Sequence, residues 1–271
     1  MRGLYTAASG MLVQQLEMDR ISNDLANSST VGYRGQQSVY QGFPAVLLQQ
    51  VSGTAKPWLT TAGAGELAAS RPRPVGGLEQ GAALAGQFLD VTPGAIRQTD
   101  NPLDVALSDD SFLQVQGGPG QGILLTRAGE LHLDGQGRLV TAGGQPVLVE
   151  LPGGGTGPIT LTATPQIDED GVLWVAGQTV GRLARVRVAA GQNLQPVGQG
   201  PYLQPTAASG APTPVPAGSG GVQPGALEMA NVEPVMSMVE MIAANRAYEA
   251  SARLITTYDD TYAKLINAVM A

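Results

Sequence analysis

Residues 236–271, MSMVEMIAANRAYEASARLITTYDDTYAKLINAVMA, repeat apolar or small side chains at a sustained spacing of seven. Met241, Tyr248, Ile255, Tyr262 and Val269 fall on one line, and Ala244, Ser251, Tyr258 and Leu265 fall three residues after them. This is the a/d seam of a long helix that must pack against another helix. The constraint is severe, because the preceding stretch PTAASGAPTPVPAGSGG (205–221) is low-complexity and supplies no helical partner.

The partner that the spacing predicts is the beginning of the chain. Leu4, Met11, Met18 and Leu25 are again seven apart, with Ala7, Gln14 and Ile21 at the companion position, which predicts a helix over 4–28. ANSSTVGYR (26–34) ends it: Asn27, Ser28 and Ser29 compete for backbone hydrogen bonds, and Gly32 supplies a left-handed stop. With Gln14 in its seam and Gly3 and Gly10 in its first turns, this helix is marginal alone. An antiparallel pairing of the two termini buries both stripes, at about 1.5–3 kcal/mol per large side chain. The C-terminal helix also carries Met238, Ile242, Ala247, Leu254 and Ile266 beside its seam, a band wider than one partner covers. Neighbouring copies of the chain are expected to close the rest.

Between the helices the chain reads as β. Its 37 Gly and 19 Pro in 271 residues suit short strands joined by turns, and aromatics at 4% leave a core of Leu, Val, Ile and Ala. LDVALSDDSFLQV (103–115) and GILLTRAGELHLDGQGRLVTAGGQPVLVEL (122–151) are strands punctuated by turn residues. LDGQGRLVTAG (133–143) is echoed by IDEDGVLWVAG (167–177), each reading as strand, Asp-led turn, strand and Gly turn. VGRLARVRVAA (180–190) alternates as one half-buried strand with Arg185 and Arg187 on its polar face. Residues 53–86 are Gly/Ala/Pro-rich with little period. The expected class is therefore α+β: an N-terminal helix in 1–30, an extended loop or linker over 31–86, a β-rich domain over 87–204, a Gly/Pro-rich linker over 205–230 and a C-terminal helix in 231–271.

Several functions are excluded or unsupported. The net charge of −7, with Lys56 and Lys264 the only lysines, provides no basic stripe for nucleic acid. The absence of Cys excludes thiolate metal sites, a Cys nucleophile and disulfides. No apolar run reaches the 18 or more residues of a membrane span. GLYTAASGMLV after Arg2 breaks into QQLEMDR too soon for a cleaved signal peptide. DEDG (168–171) has its Gly too early for a calcium loop and reads as a hairpin turn. Asp100, Asp104, Asp109 and Asp110 sit where turns and strand ends need them, and His132 has no ligand partner. QGGPGQG (116–122) lacks the Lys-Ser/Thr of a phosphate loop and reads as a hairpin connection. No catalytic, cofactor-binding or metal residue is assigned, and no enzyme activity is expected.

Three stretches resemble the bacterial flagellar axial proteins, specifically the basal-body rod family. NDLANSSTVGYR (23–34) resembles its N-terminal signature in Asn23, Leu25, Ala26, Asn27, Thr30, Gly32, Tyr33 and Arg34. NPLDVALSDDSFLQV with LTRAGELHLDGQGRLVTAGG resembles its central β segment, Arg127 included. ANVEPVMSMVEMIAANRAYEASARLI resembles its C-terminal signature in Asn231, Val232, Met241, Ile242, Arg246, Ala247 and Tyr248, with Pro234 entering the start of the last helix. The resemblance implies a structural subunit of the distal or longer proximal rod type, exported unfolded through the flagellar type III apparatus without a cleaved signal. It implies assembly with copies of itself and with neighbouring rod and hook proteins into a hollow tube of the basal body, lined by paired terminal helices, that transmits torque from motor to hook. Its assembly seam would comprise Leu4, Met11, Met18, Ile21, Leu25, Met241, Tyr248, Ile255, Tyr258, Tyr262 and Leu265. The competing expectation is a surface-binding β module that its helices merely oligomerise.

Overall fold

The computed structural model describes residues 2–42, 46–50, 73–78, 81–198 and 200–270. Among them, Arg2–Ala26 forms helix α1, short strands fill the middle and Pro234–Met270 forms helix α2, an α+β chain. Two compact units emerge. One holds residues 1–15, 40–85 and 245–271, and the other holds 16–39 and 86–244.

In the larger unit, six strands form one sheet in the order Gln195–Pro196, Tyr202–Gln204, Ile123–Thr126, Ser111–Gln116, Arg185–Arg187, Thr213–Pro214. Its centre alternates with the two-residue period of a strand that is covered on both faces. Leu113, Val115 and Leu124 join a large cluster with Val105, Leu139 and Val149, whereas Phe112 and Leu125 join a smaller one with Leu89, Val186 and Leu203. A second sheet runs Thr156–Pro158, Leu148–Glu150, Gln178–Leu183, Val172–Val175, Gln166–Ile167. The core is aliphatic, as the scarcity of aromatics requires.

The two echoed segments are hairpins built alike. Leu131–Leu133 pairs antiparallel with Leu139–Thr141, and Gln166–Ile167 with Val172–Val175. In the first, Asp134 Oδ1 accepts from the amides of Gln136 and Arg138; in the second, Asp168 Oδ1 accepts from those of Asp170 and Val172. Gly137 and Gly171 follow at φ 76° and 77°, where a side chain would strain the turn. Residues 116–122 connect two strands, closed by Gly117 N donating to Gly122 O.

Three expectations are corrected. The segment 180–190 is not one strand: it leaves one sheet at Leu183 and enters the other at Arg185, because the Ala184 amide bonds Leu148 while its carbonyl accepts from Gln114. Arg185, expected on a polar face, is consequently 1% exposed. Residues 205–230 are not a free linker. Thr213–Pro214, Val222–Pro224 and Ala226–Glu228 pair antiparallel with Arg185–Arg187, Val105–Leu107 and Ile96–Gln98, and Ser209, Val215 and Val222 are buried. The stretch 31–86, expected as an extended connection, contains strands Gln36–Gly42, Val46–Gln50, Arg73–Leu78 and the start of Ala82–Leu89. Most of the Gly/Ala/Pro-rich part of 53–86 lies outside the described residues.

α2 begins at Pro234, where a missing amide costs nothing and the fixed φ favours the first turn. α1 stops at Ala26 rather than 28: the Asn23 and Leu25 carbonyls accept from the amides of Asn27 and Ser28, and a further turn follows in which Thr30 N donates to the Asn27 carbonyl. No helix among the described residues is long and apolar enough to cross a membrane.

Candidate assembly seam and the buried lock

On α1, Ala7 and Ile21 are buried and Leu4, Met11, Gln14, Met18 and Leu25 are half-buried. On α2, Ala244 is buried, Met241, Tyr248, Ser251 and Ile255 are half-buried, and Tyr258, Tyr262 and Leu265 are exposed. Ser237, one heptad before Ala244, is buried too, so the low-exposure line starts earlier than the apolar pattern did.

Within the smaller unit, a Cβ placed on Gly3 would come within 2.6 Å of the Tyr258 hydroxyl, and one on Gly10 would meet Ser251 Oγ at 3.7 Å. Gly3, which weakens α1 locally, is thus where it approaches α2 too closely for a side chain, whereas at Gly10 a Cβ would make an ordinary contact. Within the larger unit, Arg20 Nη2 lies 3.6 Å from Glu240 Oε2. Of the expected accessory band, Ala247 is half-buried, while Met238, Ile242, Leu254 and Ile266 stay exposed. Val235, Met236 and Val239 are also exposed, so the first turns of α2 present an apolar surface of the kind that marks an interaction site.

The N-terminal signature folds into a hydrogen-bonded knot at the end of α1. Tyr33 donates its hydroxyl proton to Asp24 Oδ1 at 2.9 Å and accepts from Asn23 Nδ2 at 3.1 Å. Arg20 Nη1 donates to Asp24 Oδ2 and to the Gln36 carbonyl, both at 2.7 Å. Asn27 Nδ2 reaches back to the Asn23 carbonyl at 2.9 Å, and Thr30 Oγ1 donates to Asn27 Oδ1 at 3.2 Å. Burial raises the Asp24 carboxyl above its ordinary value, and the Tyr33 and Arg20 contacts offset this only in part. Tyr33 is pushed up strongly by burial and by the Asp24 carboxylate beside it. Arg20 loses to burial but gains more from Glu17, Asp24 and Glu240, and its pKa rises.

A second knot centres on Glu228, which is 1% exposed. Its Oε1 accepts from Arg34 Nη2 at 2.6 Å and from the Gly94 amide at 3.0 Å. Its Oε2 accepts from Arg127 Nε at 2.6 Å. Arg127 is fully committed: Nη1 donates to the carbonyls of Asp109 and Ser111, Nη2 to that of Leu107, and its guanidinium lies 5.8 Å from the Phe112 ring centroid. Burial lowers the Arg34 pKa, Glu228 works against this, and Arg127 adds to the lowering. Gly32 and Gly94 close around the knot. At φ 68°, a Cβ on Gly32 would lie 2.3 Å from the Ala128 nitrogen, and one on Gly94 would lie 2.0 Å from the Met229 carbonyl oxygen. Asn231 finishes the junction, accepting from the Gly35 amide at 2.8 Å and donating to the carbonyls of Asp90 and Thr92 at 3.1 Å.

Of the signature residues, then, Asn23, Asn27, Thr30, Gly32, Tyr33 and Asn231 are brought together with Arg34 and Arg127, while Ala26 is exposed. Arg246 is exposed on α2 and has no hydrogen bond or ion pair among the described residues. The sequence reading missed Glu228, Asp24 and Arg20. Arg34, a signature arginine with no acid beside it in sequence, and a Glu between Leu227 and Met229 were the available clue. No group of three or more His, Asp or Glu among the described residues is arranged to hold a metal.

Comparison with known proteins gives three family matches in order along the chain. The family described as flagella basal body rod protein matches residues 4–34, the flagellar hook protein FlgE/F/G D1 domain matches 106–175, and the flagellar basal body rod FlgEFG protein C-terminal family matches 223–268. The flagellar basal-body rod protein FlgG of Buchnera aphidicola subsp. Acyrthosiphon pisum is 33% identical over 273 residues, covering 97% of either chain. FlgG of Bacillus subtilis is 28% identical with 98% of each chain covered. The rod protein FlgF of Mesorhizobium japonicum is 27% identical, covering 93% of this chain and 91% of its own.

Proposed function

This chain belongs to the flagellar basal-body rod protein family, a structural family and not an enzyme family, and from that premise we propose that its terminal helices build the rod by pairing within a subunit and packing between subunits. It is a structural subunit of the basal-body rod and assembles with other rod and hook proteins. In this reading α1 and α2 form an antiparallel coiled coil. The supporting observation is the falling order of neighbours, with Gly3 at Tyr258 and Gly10 at Ser251 in one unit and Arg20 at Glu240 in the other.

The seam has two parts. Ala7, Tyr248 and Ile255 in the smaller unit, and Ile21, Met241 and Ala244 in the larger, form the part internal to the subunit. Tyr258 meets Gly3 inside the subunit, whereas the exposed flank at Tyr262 and Leu265 is completed by neighbouring copies. A tube then forms because each α2 contributes an open apolar flank to the next subunit, and torque passes through those repeated contacts. Marginal terminal helices also suit export in an unfolded state through the flagellar apparatus.

The test is Leu265→Asp with Ile266→Asp, two substitutions at exposed sites. The monomer should melt at the same temperature as the original chain, while rod assembly and motility are lost. Rods of ordinary length from the doubly substituted chain would defeat the proposal. The alternative of a surface-binding module gains little: the exposed Trp174 donates its Nε1 proton to Asp168 Oδ2 at 3.3 Å, and Trp58 lies outside the described residues.

A further inference from the structure

Opposite the seam, α2 carries a second line at the same spacing of seven: Arg246, Arg253, Asp260 and Asn267. These positions fall five residues after Met241, Tyr248, Ile255 and Tyr262, on the side of the helix farthest from the a/d contact. All four are exposed. α1 cannot neutralise them in its own unit, because residues 3–16 include no charged side chain. The only ion pair among the described residues that involves this line is Arg253 with Glu249 at 4.0 Å, on the same turn and 83% and 58% exposed. Arg246, Glu249, Ala250, Arg253, Leu254 and Thr257 line a groove of about 520 Å³ along this face. One helix thus presents a groove at 246–257 with two guanidinium groups and the Glu249 carboxylate, Arg246 being the cation without an ion pair, and a further carboxylate, Asp260, along the same line.

Resting on the assembly reading above, we propose that this line is a heterologous contact between two copies of the chain, in which Arg246 of one α2 takes the Asp260 carboxylate of the next. The register follows from elimination. A parallel stagger of seven residues pairs Arg253 with Asp260 but sets Arg246 against the neighbour's Arg253. A parallel stagger of fourteen pairs Arg246 with Asp260 and Arg253 with the Asn267 amide oxygen, and opposes no like charges. That stagger is about 21 Å along the helix axis. An antiparallel contact would pair Arg253 with Asp260 twice, but it is two-fold symmetric and closes at a dimer, whereas a rod needs a contact that propagates. The charges set register and choice of neighbour, and the exposed Leu254 beside them supplies apolar area.

The chain contains no Cys, so register can be read by disulfide trapping in the full-length protein. Arg246→Cys and Asp260→Cys together cannot bridge within one helix, since about 21 Å exceeds the reach of a disulfide. Mild oxidation of assembled protein should produce a covalent ladder from this pair and none from Arg253→Cys with Asp260→Cys. In parallel, Arg246→Glu or Asp260→Arg alone should raise the critical concentration for assembly roughly fivefold, and the two together should return it to within about twofold. Circular dichroism checks that every variant keeps its helices. A dimer trapped by the 253/260 pair, or a polymer indifferent to both charge reversals, overturns the inference and leaves the assembly reading standing. Failure of the unsubstituted chain to polymerise under any condition overturns both.

Discussion

Replacing Glu228 by Gln tests whether the buried carboxylate holds the larger unit together. The substitution preserves shape and removes one charge. Arg34 and Arg127, each donating to Glu228 at 2.6 Å, would be left facing a neutral amide whose NH2 can satisfy neither. Breaking a buried ion pair by neutralising one partner costs about 3–5 kcal/mol, because the remaining charge is uncompensated and has no water to turn to. Set against the 5–15 kcal/mol that stabilises an ordinary domain, this is a large share. At roughly 2–4 °C per kcal/mol for a unit of this size, the melting temperature should fall by about 6–20 °C, read by differential scanning calorimetry on the monomer. A double-mutant comparison sharpens it. Arg34→Met should destabilise the original chain substantially, yet add little once Glu228 is already Gln, since the charge it removes is by then unpaired. A loss below about 1 kcal/mol for Glu228→Gln, or simple additivity with Arg34→Met, would refute the picture of a carboxylate shared between two arginines.

Gly32→Ala should cost about 2 kcal/mol or more, because it adds a left-handed backbone penalty to a Cβ at 2.3 Å from the Ala128 nitrogen. Gly135→Ala, where a Cβ meets nothing within 4 Å, is the near-neutral control in the same urea titration. Arg185→Met should be neutral or stabilising by about 1 kcal/mol in chemical denaturation, since its Nε, Nη1 and Nη2 are buried without hydrogen-bond partners and its nearest carboxylate, Asp109, stands 3.8 Å away. For Asp109, burial alone would raise the carboxyl, but the Ser111 hydroxyl, Arg187 and Arg185 outweigh it and hold the pKa below the ordinary value. A lowered folded-state pKa means stability that is present above the unfolded value of about 3.9 and is lost as pH falls through the folded one. Asp109→Asn should therefore shift the urea midpoint most near pH 6 and least near pH 2.

Much of this was legible in the sequence because it rests on periodicity or on turn chemistry. The spacing of Met241, Ala244, Tyr248, Ser251 and Ile255 located the least exposed line of α2, and the Asp-Gly turns of 134–137 and 168–171 located both hairpins. What failed to show were features made by distant partners. VGRLARVRVAA alternates well enough for one strand, and only the Leu148 and Gln114 backbone bonds at Ala184 divide it between two sheets. Low-complexity composition in 205–230 concealed that the chain threads back as three short strands, since strands of two or three residues leave no periodic trace. Glu228 was illegible for a related reason: it lies 194 residues from one of its arginines and 101 from the other.

The polar residues that carry the family resemblance lie mostly inside the larger unit, and the proposed assembly seam shares with the resemblance only Leu25, Met241 and Tyr248. Asn23, Asn27, Gly32, Tyr33, Arg34, Arg127 and Asn231 are consumed in internal hydrogen bonds and close packing, which lock the end of α1, the β sheets and the approach to α2 into one unit. Their chemistry demands those residue types: a left-handed glycine against backbone, an amide that both donates and accepts, guanidinia around one carboxylate. The outward faces of α2 ask much less, because Leu, Ile, Met and Val serve almost equally well in an apolar contact. A signature in such a protein therefore marks where the subunit must hold its own shape. Arg246, exposed like the signature residues Ala26 and Ile242, is the charged one among them and has no hydrogen bond or ion pair among the described residues. A cation that the folded subunit does not use is the residue to follow from the single chain to the polymer.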